Sequence, residues 1–432
     1  MNATSGDLTP EPSTSLQAWL ARLEQLHPST IELGLDRVRR VKQALGIEPA
    51  FPLIVVGGTN GKGSTCAYLE GILLAAGYKT GLYTSPHLLR YNERVRIAGQ
   101  ASGDAALVRA FDRVDAARGS TSLTYFEFGT LGAMLQFIDA EVDVAILEVG
   151  LGGRLDAVNV FDADAAIVTS VDLDHMDYLG DTREKIGFEK AGIYRAGCPA
   201  ICADPDPPTS LLEHARHIAA DLRCVGRDFS VLRAEDHWAY RGRVTTWPAL
   251  PVPAMAGRYQ LGNAAGALAA LEALRVQLPV SEAAVCKGLA TARLPGRFQR
   301  IARSPEVILD VAHNPEAARA LAAVLRDQPV PGRTLAVVGM LADKDAANVL
   351  AAVSGEIDAW WVCRPASPRA RDAVELAAIL RRHAGGAPVR VQPDVNMALA
   401  EARSTAREGD RILVFGSFYT VAAVLDHAAT QH

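Results

Sequence analysis

The sequence predicts an α/β protein built from two parallel sheets, each covered by helices on both faces. From Ser15 onward, short apolar runs alternate with segments whose apolar residues recur at helical spacing. The short runs are continuously apolar, which is typical of strands in a parallel sheet that is buried on both faces. The alternation starts afresh after residue 293, and this indicates a second, smaller doubly wound domain.

The first domain, residues 15–293, follows a polar, proline-containing arm at residues 1–14. Leucines and valines at helical spacing predict two helices before residue 46. Continuous apolar runs predict strands, and the segment after a glycine-rich turn predicts a third helix. The predicted helices are 16–26, 35–45 and 65–76, and the predicted strands are 51–56, 80–83, 142–147 and 165–169.

The character of the sequence changes after residue 226. Segments 228–232 and 238–246, the second broken by Arg241-Gly242, predict a small antiparallel patch. Three closely spaced prolines at 248, 251 and 253 then predict an extended segment. Asn263 is the predicted N-cap of a helix at 263–275.

A Pro-Gly break at 294–297 is the predicted start of the second domain, residues 294–432. Asn314 followed by Pro315 predicts the N-cap and the first residue of a helix. The predicted strands of this domain are 307–311, 334–338, 359–363, 389–391 and 412–415.

Length and composition exclude several classes of protein. A chain of 432 residues with 49% hydrophobic and 22% charged residues is typical of a globular protein with more than one core. Lys and Arg number 44 against 49 Asp and Glu, so we expect no nucleic-acid or anionic-membrane surface. The longest uncharged apolar stretch, 412–425, is shorter than the roughly 18 residues of a membrane span. Six cysteines without a CxxC pair, and no signal peptide, predict a cytosolic protein.

The sharpest local signal is the sequence GGTNGKGST at 57–65, between a predicted strand and a predicted helix. Such a turn directs backbone N–H groups and a helix N-terminus at a polyphosphate, and Lys62 can reach the terminal phosphates. The usual Walker spacing places Ser or Thr directly after the lysine, whereas Gly63 intervenes here. The alternative is a connecting turn with a solvated lysine. The context favours nucleotide binding by Asn60, Gly61, Lys62, Gly63 and Ser64.

Two polar residues follow other predicted strands of the first domain. Glu148 ends one strand, and the carboxyl ends of parallel strands share one edge, so its carboxylate is a candidate Mg²⁺ ligand beside the phosphate loop. The alternative is an exposed carboxylate at a strand end. His175 lies among three aspartates after the next strand, which favours a metal or catalytic role over a structural one. Spacing alone does not decide which aspartate matters.

Other candidates have stronger alternatives. Asp310 and His313 follow the first strand of the second domain and are expected to face a cleft between the two domains. The alternative is that they lie in a loop that only caps a helix. Arg297 lies at the hinge, where it either contacts a phosphate when the domains close or covers the linker. Ser417 is equally well a helix cap, and Lys190 alone predicts only a solvated helix lysine. Together these residues predict an ATP-using enzyme with its site between two domains.

Seven motifs occur in order along the chain: GTNGKGST (58–65), TSPHLLRYNERV (84–95), YFEFGTL (125–131), LEVGLGGRLDAVN (147–159), FEKAGI (188–193), LPGRF (294–298) and LDVAHNP (309–315). Together they resemble the Mur ligase superfamily and, within it, the bifunctional dihydrofolate synthase/folylpolyglutamate synthase family, from about Thr30 to Tyr419. The resemblance implies a large phosphate-loop ATPase domain with a parallel sheet and a small antiparallel patch, followed by a smaller Rossmann-like α/β domain.

The resemblance also implies the reaction. A carboxylate of dihydropteroate or of a tetrahydrofolate is phosphorylated by ATP, and the amino group of L-glutamate attacks the acyl phosphate. ATP is then a substrate, and two Mg²⁺ ions are expected to assist. The expected partners are these small molecules, with no nucleic acid and no membrane, and the enzyme is expected to be a monomer.

Site residues carried over by position fall into four groups. Lys62, Glu148, His175 and Lys190 are the implied catalytic residues, Lys190 as a carbamylated lysine, and the implied Mg²⁺ ligands are Ser85, Glu148 and His175. Asn263, Arg297 and Asp310 are implied ATP contacts besides the phosphate loop. The implied dihydropteroate contacts are Thr30, Ile31, Glu32, Thr124, Tyr125, Phe126, Glu127, Arg154 and Asp156, with His313 and Ser417 at the glutamate end.

Four alternatives stay open at this point. A folylpolyglutamate synthase without the dihydropteroate step is the nearest, although SPHL with RYNERV resembles the bifunctional enzymes. A cell-wall amino-acid ligase lacks support because nothing before residue 50 resembles its additional N-terminal domain. A phosphate-loop kinase does not explain LPGRF and DVAHNP, and a dinucleotide oxidoreductase requires a GxGxxG that 150–153 does not provide.

Overall fold

The computed structural model describes residues 15–29 and 31–430, so the predicted arm at 1–14 and the candidate Thr30 lie outside the described residues. Within that range, an eight-stranded sheet has the order β4-β3-β2-β5-β1-β6-β7-β8. The six strands from β2 to β8 in this order are parallel, and β3 and β4 add an antiparallel edge. The strands are β1 Leu53–Gly57, β2 Thr80–Tyr83, β3 Val95–Ile97, β4 Gln100–Ala101, β5 Val144–Glu148, β6 Ala165–Val168, β7 Pro199–Cys202 and β8 Asp221–Cys224.

The central strands of this sheet are buried on both faces. In β1, Leu53 and Val55 point into one hydrophobic core, whereas Ile54 and Val56 point into the other. This two-sided burial is the reason that the strands are continuously apolar. The helices that cover the two faces are α1 Leu16–Leu26, α2 Asp36–Leu45, α3 Lys62–Ala75, α4 Asp104–Arg118, α5 Tyr125–Asp139, α6 Met176–Leu179, α7 Arg183–Ala191, α8 Thr209–His217, α9 Tyr259–Ala273 and α10 Glu282–Thr291, with short 3-10 helices at Tyr91–Arg94 and Ala157–Val160.

A three-stranded antiparallel sheet of β9 Ser230–Arg233, β10 His237–Arg241 and β11 Thr246–Pro251 confirms the predicted patch. The predicted break of segment 238–246 at Arg241-Gly242 is confirmed, because β10 ends at Arg241, and the extended proline segment forms β11. Its prolines are tolerated because β11 is an edge strand and needs no N–H on its outer side. The helix predicted from Asn263 begins at Tyr259 instead, so Asn263 is inside α9 and is not its N-cap.

The third sheet has the order β12-β13-β17-β14-β15-β16, parallel except for the edge strand β12, which the sequence analysis missed. Asn314 N-caps its first helix as predicted, by accepting a hydrogen bond from the Ala317 N–H at 2.9 Å. The strands are β12 Gln299–Arg303, β13 Glu306–Leu309, β14 Thr334–Val338, β15 Ala359–Cys363, β16 Val389–Gln392 and β17 Arg411–Phe415; the helices are α11 Pro315–Asp327, α12 Ala346–Val353, α13 Ala373–Arg381, α14 Val395–Thr405 and α15 Phe418–Thr430, with a 3-10 helix at Ser354–Glu356.

A search of the described helices for one long and apolar enough to cross a membrane finds none.

The buried Glu272 organises the turn between β10 and β11. Its carboxylate accepts hydrogen bonds from the Val244 and Thr245 N–H groups at 2.9 and 2.6 Å, and from the Arg243 N–H at 3.2 Å. We predict that Glu272→Ala lowers the free energy of unfolding by about 1–3 kcal/mol, because these donors lose their acceptor. Denaturant unfolding measures the change. Glu235→Ala, at an exposed position in the neighbouring turn, is the control and should leave stability unchanged; equal effects of the two variants would contradict the assignment.

Candidate active site

One cavity of about 950 Å³ lies between the eight-stranded and the six-stranded sheets. Segments that follow β1, β5 and β6 line it from the large sheet, and segments that follow β13, β14 and β17 line it from the smaller one. The carboxyl edges of two parallel sheets therefore face each other, and such edges are where ligands bind in α/β folds.

The loop between β1 and α3 forms the floor of this cavity. Gly58 and Gly61 have φ angles of +144° and +89°, and a Cβ there would approach Thr169 Oγ1 to 1.9 Å and Asn263 Oδ1 to 2.3 Å. Only glycine fits both positions. The loop therefore approaches its neighbours closely and leads directly into the N-terminus of α3, at Lys62. An anion bound there would face the free N–H groups of that helix end.

Lys62 is held inside its own loop. Its Nζ donates hydrogen bonds to the Gly58 and Thr59 carbonyl oxygens at 2.9 and 3.1 Å. Asn263 reaches the same loop from α9, with its Nδ2 bonded to Gln260 Oε1 at 3.0 Å and its Oδ1 directed toward Gly61. Asn263 is thus beside the phosphate loop as predicted, although on a different turn of its helix.

Glu148 is buried at the end of β5 and accepts a hydrogen bond from the Ser85 backbone N–H at 3.1 Å. Burial raises the pKa of Glu148, and the nearby charge of Lys62 opposes that rise. The donor set of Ser85, Glu148 and His175 suits Mg²⁺, which binds few protein ligands and keeps several waters. The described part of the chain contains no group of three or more His, Cys, Asp or Glu placed to hold a metal.

Lys190 is buried on α7 and lines the cavity, so it is not the solvated lysine that its local sequence alone predicts. Burial lowers the pKa of Lys190 to about 7, and the positive charge of Lys62 acts in the same direction. A substantial fraction of this amine is therefore neutral near pH 7, and a neutral amine is nucleophilic.

Several of the predicted pteroate contacts lie at the N-terminus of α5. Thr124 caps that helix and Glu127 returns a bond to the Thr124 N–H at 2.8 Å. Arg37 Nη2 reaches Glu127 at 3.1 Å and also pairs with Glu32. Burial raises the pKa of Asp156 to about 7, and its carboxylate accepts from the Leu151 and Val158 N–H groups, so it orders the loop behind the cavity.

Residues from the C-terminal part complete the cavity. Both carboxylate oxygens of Asp310 accept backbone N–H groups, of Phe298 at 2.9 Å and of Ala312 at 2.8 Å. Burial lowers the pKa of His313 to about 4, so its ring is neutral near pH 7. Ser417 accepts the Thr420 N–H at 3.1 Å, as a helix cap does, and it also lines the cavity. Arg297 lies over the Phe418 ring, with its guanidinium carbon 5.5 Å from the ring centre.

Most predicted site residues line this one cavity, and two do not. Tyr125 packs against Tyr91, and Arg154 pairs with Glu189 at 2.8 Å on the outside of α7. The candidates that line the cavity are Ile31, Glu32, Asn60, Gly61, Lys62, Gly63, Ser64, Ser85, Thr124, Phe126, Glu127, Glu148, Asp156, His175, Lys190, Asn263, Arg297, Asp310, His313 and Ser417.

The sequence analysis missed several polar lining residues. Arg94 donates to His87 Nδ1 at 2.8 Å, and Lys344 pairs with Asp174 at 2.9 Å. Lys344 lies in the segment after β14, so the rule that polar residues collect after parallel strands points to that segment. Glu316, in the first turn of α11, has no comparable signal.

Comparison with protein families identifies the two halves of the chain separately. Residues 56–207 match the Mur ligase middle domain, and residues 296–418 match the Mur ligase glutamate ligase domain. The dihydrofolate synthase/folylpolyglutamate synthase of Escherichia coli strain K12 is 46% identical over 419 residues, which are 97% of this chain and 96% of that protein. The protein of the same name from Haemophilus influenzae is 40% identical over 95% of this chain and 97% of that protein.

Solved structures agree over nearly the whole chain. E. coli FolC in complex with DHPP and ADP superposes with a TM-score of 0.92 at 46% identity, covering 98% of this chain and 100% of that chain. A bifunctional folylpolyglutamate synthase/dihydrofolate synthase with Mn, AMPPNP and L-glutamate bound gives a TM-score of 0.89 at 45% identity, covering 98% and 100%. The chain therefore belongs to the dihydrofolate synthase/folylpolyglutamate synthase family of the Mur ligases, ATP-dependent enzymes that form amide bonds.

Proposed function

We propose that this enzyme joins L-glutamate to dihydropteroate and also extends reduced folates with glutamate. The observation that carries the proposal is the single cavity into which a phosphate loop, a buried acid and the residues of the C-terminal sheet all project. The relatives named for both activities match from end to end, which supports assigning both to one site.

The proposed chemistry has two steps. A carboxylate oxygen of the pteroate or folate attacks the γ-phosphorus of ATP, the bond to the β-phosphate oxygen breaks, and ADP leaves. The glutamate nitrogen then attacks the acyl carbon, inorganic phosphate leaves, and the nitrogen loses a proton. Activation is required because a carboxylate is a poor electrophile and hydroxide is a poor leaving group.

Charge balance gives each residue of the phosphate loop region a role. The carboxylate and ATP are both anionic, so their approach needs positive charge and directed N–H groups at the point of transfer. We assign these to Lys62 and to the N-terminus of α3. Ser85, Glu148 and His175 would hold Mg²⁺, which when bound supplies further neutralisation of the phosphate charge. Arg297 and Asp310 would contact ATP from the C-terminal part, and Ser417 and His313 would lie near glutamate.

Lys190 is proposed to carry a carbamate. Its neutral amine can attack CO₂ and lose a proton to solvent, and the resulting N-carboxylate would place an anion in a buried position. An anion at Lys190 lies beside Lys62, which stabilises it electrostatically. It would offer a hard oxygen ligand to a second Mg²⁺.

Three further predictions are retained as part of the proposal. The boundary between residues 15–293 and 294–432 is supported by the third sheet, whose strands begin at Gln299. A monomer is supported by a cavity that one chain lines completely. A cytosolic location is supported by six cysteines that are all free thiols.

The test of the proposed function is a direct assay with purified protein, ATP, Mg²⁺ and L-glutamate. Dihydropteroate and tetrahydrofolate are offered separately, and each is expected to give an amide product with one phosphate released per bond. Isotopic oxygen in the substrate carboxylate should appear in the phosphate. Extension of the folate alone would leave folylpolyglutamate synthase as the function, and a phosphorylated product without amide would indicate a kinase.

Lys62→Ala is expected to lower kcat by roughly 10²–10³-fold or more, because the transferred phosphate loses its nearest cation. Steady-state kinetics and a circular dichroism spectrum give activity and fold. Lys79→Ala, at an exposed lysine before β2, is the matched control and should keep wild-type activity. Wild-type turnover by Lys62→Ala would refute the assignment of the loop.

Carbamylation of Lys190 should follow the protonation of its amine. With a pKa of about 7, the neutral fraction rises from about one tenth at pH 6 to most of the population at pH 8. At fixed dissolved ¹³CO₂, a carbamate carbon signal in the NMR spectrum should therefore grow with pH over this range. Lys190→Ala should remove the signal, and Lys185→Ala, on the exposed side of the same helix, should keep it. A signal that survives Lys190→Ala would exclude this residue.

A further inference from the structure

The side chain of Asn314 uses its full hydrogen-bonding capacity, although capping α11 needs only one bond. An asparagine amide offers two donor hydrogens and two acceptor lone pairs. Its Oδ1 accepts from the Ala317 N–H at 2.9 Å and from Asn60 Nδ2 at 3.2 Å. Its Nδ2 donates to Asn60 Oδ1 at 3.0 Å and to Asp174 Oδ2 at 3.3 Å. Three of the four bonds therefore join the C-terminal part directly to segments of the large sheet.

Both partners of Asn314 belong to segments that carry the proposed chemistry. Asn60 is in the phosphate loop, where its N–H is bonded to Ser170 Oγ at 3.1 Å. Asp174 precedes the candidate metal ligand His175 and accepts its backbone N–H at 2.9 Å. One buried side chain thus connects the phosphate loop and the His175 segment to the helix of the other sheet.

Neighbouring contacts hold the same helix against the same two segments. Glu316 accepts from Asn60 Nδ2 at 2.5 Å and from Ser170 Oγ at 3.3 Å. Arg319, one turn later, pairs with Asp172 at 3.0 Å. The side-chain amide of Asn60 is already hydrogen-bonded to Asn314 and Glu316. If Asn60 binds nucleotide as predicted, its backbone makes the contact.

We propose that Asn314 is a positioning residue of the ligation reaction, which aligns the phosphate loop and the His175 segment only when the C-terminal part is docked. Every proposed nucleotide contact, including Arg297 and Asp310, lines the cavity, whereas Asn314 does not, so binding of nucleotide does not require the Asn314 side chain. Phosphoryl transfer does require alignment, since misplacement by about 1 Å can cost 10²-fold in rate. The inference rests on the proposed ligase function and adds a residue that contacts none of the three substrates.

Asn314→Ser tests the proposal without removing the helix cap, because serine is a good N-cap but is too short to bridge to Asn60 and Asp174. We expect kcat to fall roughly 10-fold or more, while the Kd for ADP, measured by calorimetry, changes by less than about twofold. Asp372→Ser makes the same kind of exchange at the N-cap of α13, whose bonds stay within its own helix, and should keep wild-type kcat. Helix content, measured by circular dichroism, should match in the two variants.

A double-mutant cycle isolates the hydrogen bonds between Asn60 and Asn314. If Asn60 and Asn314 act as one unit, Asn60→Ala combined with Asn314→Ser should lower kcat no further than the more damaging single variant. Effects that multiply would overturn the proposal, as would wild-type kcat in Asn314→Ser or a loss of ADP affinity equal to the loss of kcat. The wild-type assay is read first: absence of amide product removes the proposed function and this inference together, whereas normal wild-type product with an unaffected Asn314→Ser removes the inference alone.

Discussion

The site depends on how closely the loop between β1 and α3 can approach its neighbours. Thr169, at the end of β6, and Asn263, on α9, occupy the space where side chains would stand at Gly58 and Gly61. The loop is thereby pressed between two elements of the large sheet domain, and its N–H groups and the start of α3 are directed into the cavity. Every other proposed role, from the acid at Glu148 to the contacts of the C-terminal helix, is defined relative to that loop.

Burial then sets the chemistry of the ionisable groups around the loop. It raises the pKa values of Glu148 and Asp156 and lowers those of Lys190 and His313. Each group is moved toward its neutral form, which is the direction that desolvation imposes. Bound ATP and its cations would place charges beside these buried groups and so would change their pKa values. Carbamylation of Lys190 is the most direct chemical consequence of this arrangement.

The fold could be predicted from periodicity for most strands that are buried on both faces, and β2, β14 and β15 match residue for residue, although the buried strand β7 was missed. The edge strands β3, β4, β8 and β12 were missed because they are short or partly exposed, which removes the continuous apolar pattern. Among site residues, the strand-end rule found Glu148 and His175. It did not exclude Arg154, a pteroate contact implied by the motif at 147–159. In the structure Arg154 does not line the cavity and pairs with Glu189 of α7.

The amino-acid order alone determined the class of fold, the phosphate loop and the reaction family, because these depend on local patterns: apolar runs, glycine spacing and ordered motifs. Tertiary structure alone decided which polar groups meet. The side-chain amides of Asn60 and Asn314 are 254 residues apart in the chain and yet form a direct hydrogen bond. No local signal marks such a pair, since its formation depends on how two separately folded sheets place their carboxyl edges against each other.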